Sequence, residues 1–173
     1  MKSSYEQRAK RFMVQFFPYI KNCRTARDYI FAVEEFNYDK SRKVSFHYGV
    51  SRGCFVTSDY VIKFDLHKNT HDNIGNCESE MAMYAQAVAD GFEYLFAKIT
   101  HFWYAGRDWY IMPRINGINE HSWKFADEYI KSSRELNYLT THVDDMHSGN
   151  FGWKNRHIVL IDYACNFTVW DEG

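Results

Sequence analysis

The hydrophobic pattern changes its period near Val44, and this change most restricts what the chain can fold into. Before that point, apolar residues recur at helical intervals in two stretches, one from Tyr5 to Phe17 and one beginning near Thr25. Pro18 is expected to stop the first helix. After that point, short apolar runs alternate with Gly, Ser, Arg and Asp, which is typical of a hairpin-rich sheet. The pattern predicts the α+β class.

The same two periods locate the remaining elements. The runs predicted as strands are 44–48, 54–57, 60–64, 97–104, 109–115, 151–153 and 157–161. Helices are predicted over 77–89 and 122–139, and the polar segment 140–150 is predicted as a loop. The turns joining the last two pairs of strands are expected to span 105–108 and 154–156. One helix is therefore enclosed in sequence by strands on both sides.

Composition excludes several classes of protein. Hydrophobic residues make up 46% and aromatic residues 18%, which is too much apolar surface for a disordered chain. The net charge of −1 gives no general reason to expect a nucleic-acid partner. The excess of basic residues in 2–27 marks either a surface for an acidic partner or a solvated helix face.

No apolar run approaches the roughly 18 residues of a membrane span. The four cysteines lack metal or disulfide spacing, so we expect a cytoplasmic globular protein.

The densest polar cluster lies at residues 142–150, and Asp162 follows at the end of an apolar run. The two short strands between them predict a hairpin, which would bring Asn150 and Asp162 together. Amide and carboxylate oxygens suit Mg²⁺, which takes one or two protein ligands and completes its shell with water and phosphate oxygens. Asp145 would lie on the same loop, free to orient a nucleophilic hydroxyl. The sequence therefore predicts a magnesium site at the end of this hairpin.

This spacing resembles the catalytic loop and metal site of the protein-kinase-like superfamily. The segment 145–150, Asp-Met-His-Ser-Gly-Asn, is most similar to the loop of the early Ser/Thr protein kinases of short-tailed bacteriophages, and its Asp-x-His-x-x-Asn form is also similar to small-molecule phosphotransferases. The resemblance implies ATP and Mg²⁺ as cofactors and Asp145 as the catalytic base. His147 replaces the loop lysine of protein kinases, and it could donate to the γ-phosphate or only brace the loop.

The resemblance extends upstream to a lysine and a glutamate. The segment 60–64, Tyr-Val-Ile-Lys-Phe, is similar to the family's Val-Ala-Ile-Lys strand, which implies that Lys63 grips the nucleotide phosphates. The following helix offers Glu80 as the partner of this lysine and Glu78 as the second choice. Glu80 is preferred because it shares a helix stripe with Tyr84 and Val88.

Two further segments are similar to nucleotide-binding parts of the family. Segment 49–55 is a degenerate glycine-rich hairpin, and segment 111–115 lies where the hinge reads adenine. By resemblance, Met112 is the gatekeeper, Pro113 offers a carbonyl and Ile115 offers an N–H. The residues implied to bind the nucleotide are Gly53, Phe55, Lys63, Met112, Pro113 and Ile115.

The order of these segments implies a reduced two-lobed protein-kinase-like fold over residues 41–173, with an antiparallel sheet and one helix in the N-terminal lobe and a truncated, mainly helical C-terminal lobe. Residues 1–40 form a helical extension. The implied function is a bacteriophage-type Ser/Thr protein kinase acting on host proteins in the host cytoplasm. Tyr163 and Ala164 replace the family's Phe-Gly after the metal aspartate, and few residues follow, so we expect no peptide-docking helices. These departures favour the alternative, a pseudokinase-like module that binds and inhibits or redirects a host protein without catalysis.

Overall fold

A computed structural model describes residues 4–49, 51–66, 76–132, 137–142 and 146–163. The chain divides into two compact units. The sheet unit comprises residues 1–73 and 100–114, and the hairpin unit comprises residues 74–99 and 115–173. The division into an extension over 1–40 and a domain over 41–173 stays a prediction.

The described part of the sheet unit contains two helices and a five-stranded sheet. Its helices are α1 (Tyr5–Ile20) and α2 (Ala26–Lys40), and its strands are β1 (Ser45–Tyr48), β2 (Arg52–Val56), β3 (Tyr60–Asp65), β4 (Thr100–Tyr104) and β5 (Arg107–Pro113). The strand order is β1-β2-β3-β5-β4, and every neighbouring pair is antiparallel. The α+β class and the antiparallel sheet predicted from the sequence are confirmed.

The first helix runs further than its proline suggests. The Ser4 side chain caps the start of α1 by accepting the N–H of Gln7 at 3.2 Å. The prediction that Pro18 stops this helix was wrong, because α1 continues to Ile20. Pro18 lies in the last turn, where its missing N–H removes a single helical hydrogen bond. The turn still closes, since the Lys21 N–H donates to the Phe17 carbonyl at 2.9 Å.

An aromatic core fills the space between the two helices and one face of the sheet. Its largest buried side chains include Phe16 and Phe36 from the helices and Phe55, Phe64 and Trp109 from the strands. The rings of Phe16 and Phe55 meet edge to face with centroids 4.8 Å apart, and those of Phe55 and Phe64 stack at 5.2 Å. Both separations are favourable for aromatic pairs. The helices α1 and α2 therefore share one core with the sheet.

Within its described residues, the hairpin unit combines three α-helices with a small sheet. The helices are α3 (Asn76–Asp90), α4 (Glu120–Ser132) and α5 (Asn137–His142), and the strands are β6 (Asn116–Gly117), β7 (Phe151–Lys154) and β8 (His157–Leu160). The sheet is antiparallel in the order β6-β7-β8. Helices α4 and α5 both overlap the region predicted as one helix over 122–139, of which residues 133–136 lie outside the described residues. Strand β6 was not predicted, because two residues are too few to show a period. No helix within the described ranges is long and apolar enough to cross a membrane.

Two hairpin turns are shorter than predicted. Strands β4 and β5 are joined by Ala105 and Gly106 alone, and strands β7 and β8 by Asn155 and Arg156 alone. All four residues have positive φ, between 51° and 80°. Positive φ at both central residues is the signature of the type I′ turn, whose twist matches that of paired strands. The short second turn fixes the register that brings the two ends of β7 and β8 together.

Candidate functional site

Asn150 and Asp162 lie side by side at the open end of the β7–β8 hairpin. The Asn150 carbonyl accepts the N–H of Ile161 at 2.7 Å and that of Asp162 at 3.3 Å. From the other side, the Asn150 N–H donates to the His147 carbonyl at 3.0 Å. Asn150 is only 7% exposed. The backbone therefore holds together the two residues that the sequence analysis named as metal ligands.

An amide and a carboxylate in this arrangement offer the hard oxygen atoms that Mg²⁺ prefers. The described part of the chain contains no group of three or more His, Cys, Asp or Glu side chains that could hold a metal. In a magnesium site of this kind, Asn150 and Asp162 would supply one or two ligands, and water or phosphate oxygens would complete the shell, as is common for Mg²⁺. The chemistry of these two side chains fits such an ion.

Tyr163, the residue after Asp162, is anchored at both ends. Its N–H donates to the Glu80 carboxylate at 3.1 Å, and its hydroxyl donates to the Ala97 carbonyl at 2.8 Å. The ring packs edge to face on Phe96 with centroids 5.1 Å apart. Two hydrogen bonds and a ring contact therefore anchor the residue that directly follows Asp162.

Glu80 is fully buried in α3, whereas the alternative Glu78 is exposed. A buried carboxylate requires polar partners, and the Tyr163 N–H is one of them. The predicted stripe of Glu80 with Tyr84 and Val88 was wrong, because Val88 is 50% exposed. The buried face of α3 instead consists of Cys77, Glu80, Met83 and Ala87. This face follows steps of three and four residues, so Glu80 belongs to it while Val88 does not.

The catalytic-loop candidates differ in what the structure describes. Asp145 lies outside the described residues. His147 precedes a short 3₁₀ turn at Ser148–Asn150, and its Nδ1 accepts the N–H of Gly149 at 3.0 Å. Because Nδ1 accepts, a neutral ring carries its proton on Nε2. The hydrogen bond braces the loop, and donation from Nε2 to a phosphate stays a prediction.

Lys63 occupies the middle of β3 in the sheet unit. It is paired with Cys54 of β2 on one side and Tyr110 of β5 on the other. Its neighbours Ile62 and Phe64 are fully buried in the aromatic core. Since side chains alternate along a strand, Lys63 points to the opposite face of the sheet. It is only 8% exposed, which is unusual for lysine and requires polar surroundings.

Gly53 and Phe55, the candidates from the glycine-rich hairpin, both face the aromatic core. Phe55 is fully buried, so only its backbone could lie against a nucleotide. A Cβ at Gly53 would come within 2.7 Å of Phe64 and 2.9 Å of Phe46. The packing of these two rings is therefore sufficient to explain why a glycine stands at this position. Phosphate binding by the hairpin stays a prediction.

This packing makes a prediction about Gly53. Gly53→Ala is expected to lower the free energy of unfolding by about 1–3 kcal/mol, because the added methyl forces buried rings apart. Gly49→Ala is the matched control, since nothing lies within 4 Å of a Cβ there. Urea unfolding of both variants measures the difference. Equal unfolding midpoints for the two variants would show that the rings yield without cost.

The hinge candidates lie where the chain passes from one unit to the other. Met112 is buried in β5 opposite Val61, and Pro113 ends this strand. Both belong to the sheet unit, whereas Ile115 belongs to the hairpin unit. Adenine binding at this segment stays a prediction.

The sequence analysis missed a polar cluster that joins α3 to α5. The Tyr138 hydroxyl donates to Asp90 at 2.7 Å, and Gln86 donates to the same carboxylate at 3.0 Å. The His142 ring stacks on Tyr138 with centroids 4.2 Å apart. The pattern that could have indicated it is a pair of four-residue spacings, Gln86 to Asp90 and Tyr138 to His142. The cluster anchors the helix that precedes Asp145.

The cluster predicts an acid-dependent contribution to stability. Hydrogen bonds from Tyr138 first, and then from Gln86, lower the pKa of Asp90 below its ordinary value of 3.8. A lowered carboxyl pKa stabilises the fold above the unfolded value, and this stabilisation is lost as the pH falls through the folded value. Tyr138→Phe is therefore expected to have a lower free energy of unfolding than the wild type at neutral pH. The difference between the two proteins should become smaller below about pH 4. Urea unfolding across this range measures both free energies, and a difference that does not change with pH would contradict the proposed role of the Tyr138 to Asp90 hydrogen bond.

Comparisons with known proteins leave the family open. No protein-family model matches the sequence, and no curated protein matches it. Solved structures of WbdD, including a co-crystal with a kinase inhibitor, share 24% identity with the chain at TM-scores of 0.38 and 0.33. The match covers 69% of this chain and 32% of WbdD, so the chain spans about a third of that length. Scores this low do not establish a common fold. By its own elements, the chain is an α+β protein compatible with a reduced kinase-like fold.

Proposed function

We propose that the protein is an ATP- and Mg²⁺-dependent phosphotransferase that acts on Ser or Thr side chains of proteins. The observation that carries the proposal is the pair Asn150 and Asp162, joined by backbone hydrogen bonds. Anchoring of Tyr163 by Glu80 and Ala97 supports it, because a metal-binding carboxylate works best when its position is set in advance. By resemblance to bacteriophage kinases, the acceptors are host proteins.

Each residue has a role in this reaction. When bound, ATP would supply the phosphoryl group and Mg²⁺ would neutralise part of its charge. Asn150 and Asp162 would hold the metal, Lys63 would offset the negative charge of the phosphate oxygens, and Asp145 would accept the proton of the attacking hydroxyl. The new bond joins the hydroxyl oxygen to the γ-phosphorus as the bond from that phosphorus to ADP breaks. Most of the rate enhancement comes from positioning and electrostatics.

Labelled ATP tests the proposal. The protein is incubated with γ-labelled ATP, Mg²⁺ and bacterial lysate, and the expected result is label on Ser or Thr of proteins that disappears with Asp145→Asn. Intact-mass measurement of the chain itself detects autophosphorylation. Label found only on small molecules would contradict the protein-kinase proposal and would indicate a small-molecule phosphotransferase. Absence of both label and ATP binding would overturn the proposal.

The packing of Gly53 supports a second candidate, a pseudokinase-like binding module. A glycine that is required by neighbouring rings is no evidence for a hairpin that covers phosphates. The same lysate experiment separates the two functions. Stoichiometric capture of one host protein without transfer of label, unchanged by Asp145→Asn, would favour the binding module.

A further inference from the structure

A basic groove lies on the sheet unit beside α1, the α2–β1 connection and the β2–β3 turn. One cavity of about 580 Å³ is lined by Arg8, Arg11, Arg42 and Lys43, together with Asp59. A second cavity of about 410 Å³ is also lined by Arg42 and Lys43, and Arg114 is added to its wall. We call the two cavities the basic groove. Arg42 and Lys43 therefore form a wall that the two cavities share.

The loop that carries Arg42 and Lys43 is held by α2. The Asn37 side chain donates to the Val44 carbonyl at 2.7 Å and accepts the Val44 N–H at 2.9 Å. The Arg42 N–H donates to the Asn37 carbonyl at 3.2 Å, and Ser41 adopts the left-handed conformation with φ of 48°. Three hydrogen bonds to one residue therefore set the backbone of this loop in advance. A ligand that binds Arg42 and Lys43 would not have to order the backbone of this loop, and this lowers the entropic cost of binding.

Asp59 does not neutralise the groove. It is the one acidic residue among the described residues that line the first cavity. Its carboxylate is engaged by Arg8, whose Nε donates at 2.8 Å. Arg114 donates to the neutral Thr57 carbonyl at 2.8 Å, so its charge is retained. The groove is strongly cationic even though the chain as a whole carries a net charge of −1. An anionic partner would relieve the repulsion among these side chains.

The aromatic residues of the groove indicate which kind of polyanion fits. Proteins that bind single-stranded nucleic acid stack the bases on exposed aromatic faces. The two aromatic residues that line the first cavity, Phe12 and Tyr60, are 8% and 6% exposed, and they are committed to the core. The groove therefore offers charge and polar groups without a surface for bases. Carboxylates spaced along an extended chain match this chemistry.

We propose that the basic groove binds an extended acidic peptide segment, rich in Asp and Glu, from a partner protein. Arg42 and Lys43 stand at the shared wall, and Arg11 and Arg114 contact the segment on either side of it. The proposal does not depend on phosphoryl transfer, so it can hold for an enzyme or for a binding module.

Fluorescence anisotropy with a labelled peptide of alternating Glu and Gly tests the proposal. The full chain is expected to bind this peptide and not the matching Lys and Gly peptide, with affinity that falls as salt is added. The double variant Arg42→Glu, Lys43→Glu is expected to weaken binding at least tenfold. Both residues are exposed, so the fold should persist. Arg11→Gln, which changes a different wall, is expected to weaken binding several-fold without altering that loop.

The control variant Lys21→Glu, Lys124→Glu makes the same change in net charge at exposed positions outside the groove. It is expected to bind the peptide like the wild type. Equal losses in the two double variants would reduce the effect to nonspecific charge and overturn the proposal. Single-stranded DNA could bind more tightly than the acidic peptide and lose this binding in Arg42→Glu, Lys43→Glu. That result would show that the groove binds nucleic acid, and it would overturn the proposal of a peptide ligand. Absence of peptide binding at low salt would also overturn it.

Discussion

Asp162→Ala is expected to lower kcat/KM for phosphoryl transfer from ATP by on the order of 10³-fold. The change removes one of two proposed metal-binding groups. The backbone bond from residue 162 to the Asn150 carbonyl and the two hydrogen bonds of Tyr163 do not involve the deleted carboxylate. These three hydrogen bonds should therefore persist in the variant. Steady-state kinetics measure the rate, and calorimetry with and without Mg²⁺ measures nucleotide binding.

Two further variants sharpen this experiment. Lys63→Met keeps an unbranched apolar stem in β3 while it removes the charge, so we expect weaker ATP binding and slower transfer in a folded protein. Glu128→Ala is the matched control, because it removes an exposed carboxylate from the same unit as Asp162. Full activity in Asp162→Ala would exclude the proposed metal site. A comparable loss in Glu128→Ala would attribute the effect to net charge.

Phe55→Ala is expected to lower the free energy of unfolding by about 3–5 kcal/mol. The Phe55 ring is fully buried and contacts rings from a helix and from two neighbouring strands, including Phe16 and Phe64. Its deletion removes apolar burial and leaves a cavity that rigid rings cannot fill. A typical domain has about 5–15 kcal/mol of stability, so this single change could unfold a large fraction of the protein. Urea unfolding followed by tryptophan fluorescence measures it, since Trp109 lies in the same core.

Phe31→Ala is the control for the core prediction. Phe31 is 54% exposed on α2, and the Arg27 guanidinium lies over its ring at 5.3 Å from the centroid. An exposed contact of this kind contributes roughly 0.5–1 kcal/mol, so the expected loss is several times smaller than that of Phe55→Ala. Similar losses in the two variants would show that burial in the aromatic core is not what makes Phe55 important.

Much of the architecture could be predicted from local patterns. The change of period near Val44 indicated helices followed by an antiparallel sheet, because alternation and helical spacing each follow from the geometry of one element. The pairing of Asn150 with Asp162 also followed from a local feature, since two short strands with a tight turn return the chain on itself. The sequence by itself therefore determined the order of the elements and the neighbours within a hairpin.

Only the tertiary structure decided which faces of the elements are buried and which distant residues contact one another. Glu80 is buried on a face with Met83 and Ala87, because the packing around α3 selects one of two overlapping stripes. Gly53 is required by rings that come from other strands, which no local pattern shows. The basic groove brings residue 11 beside residue 42, and neither position indicates the other in the sequence. Contacts between distant segments depend on how the elements pack, so they are absent from periodicity and appear only in the folded chain.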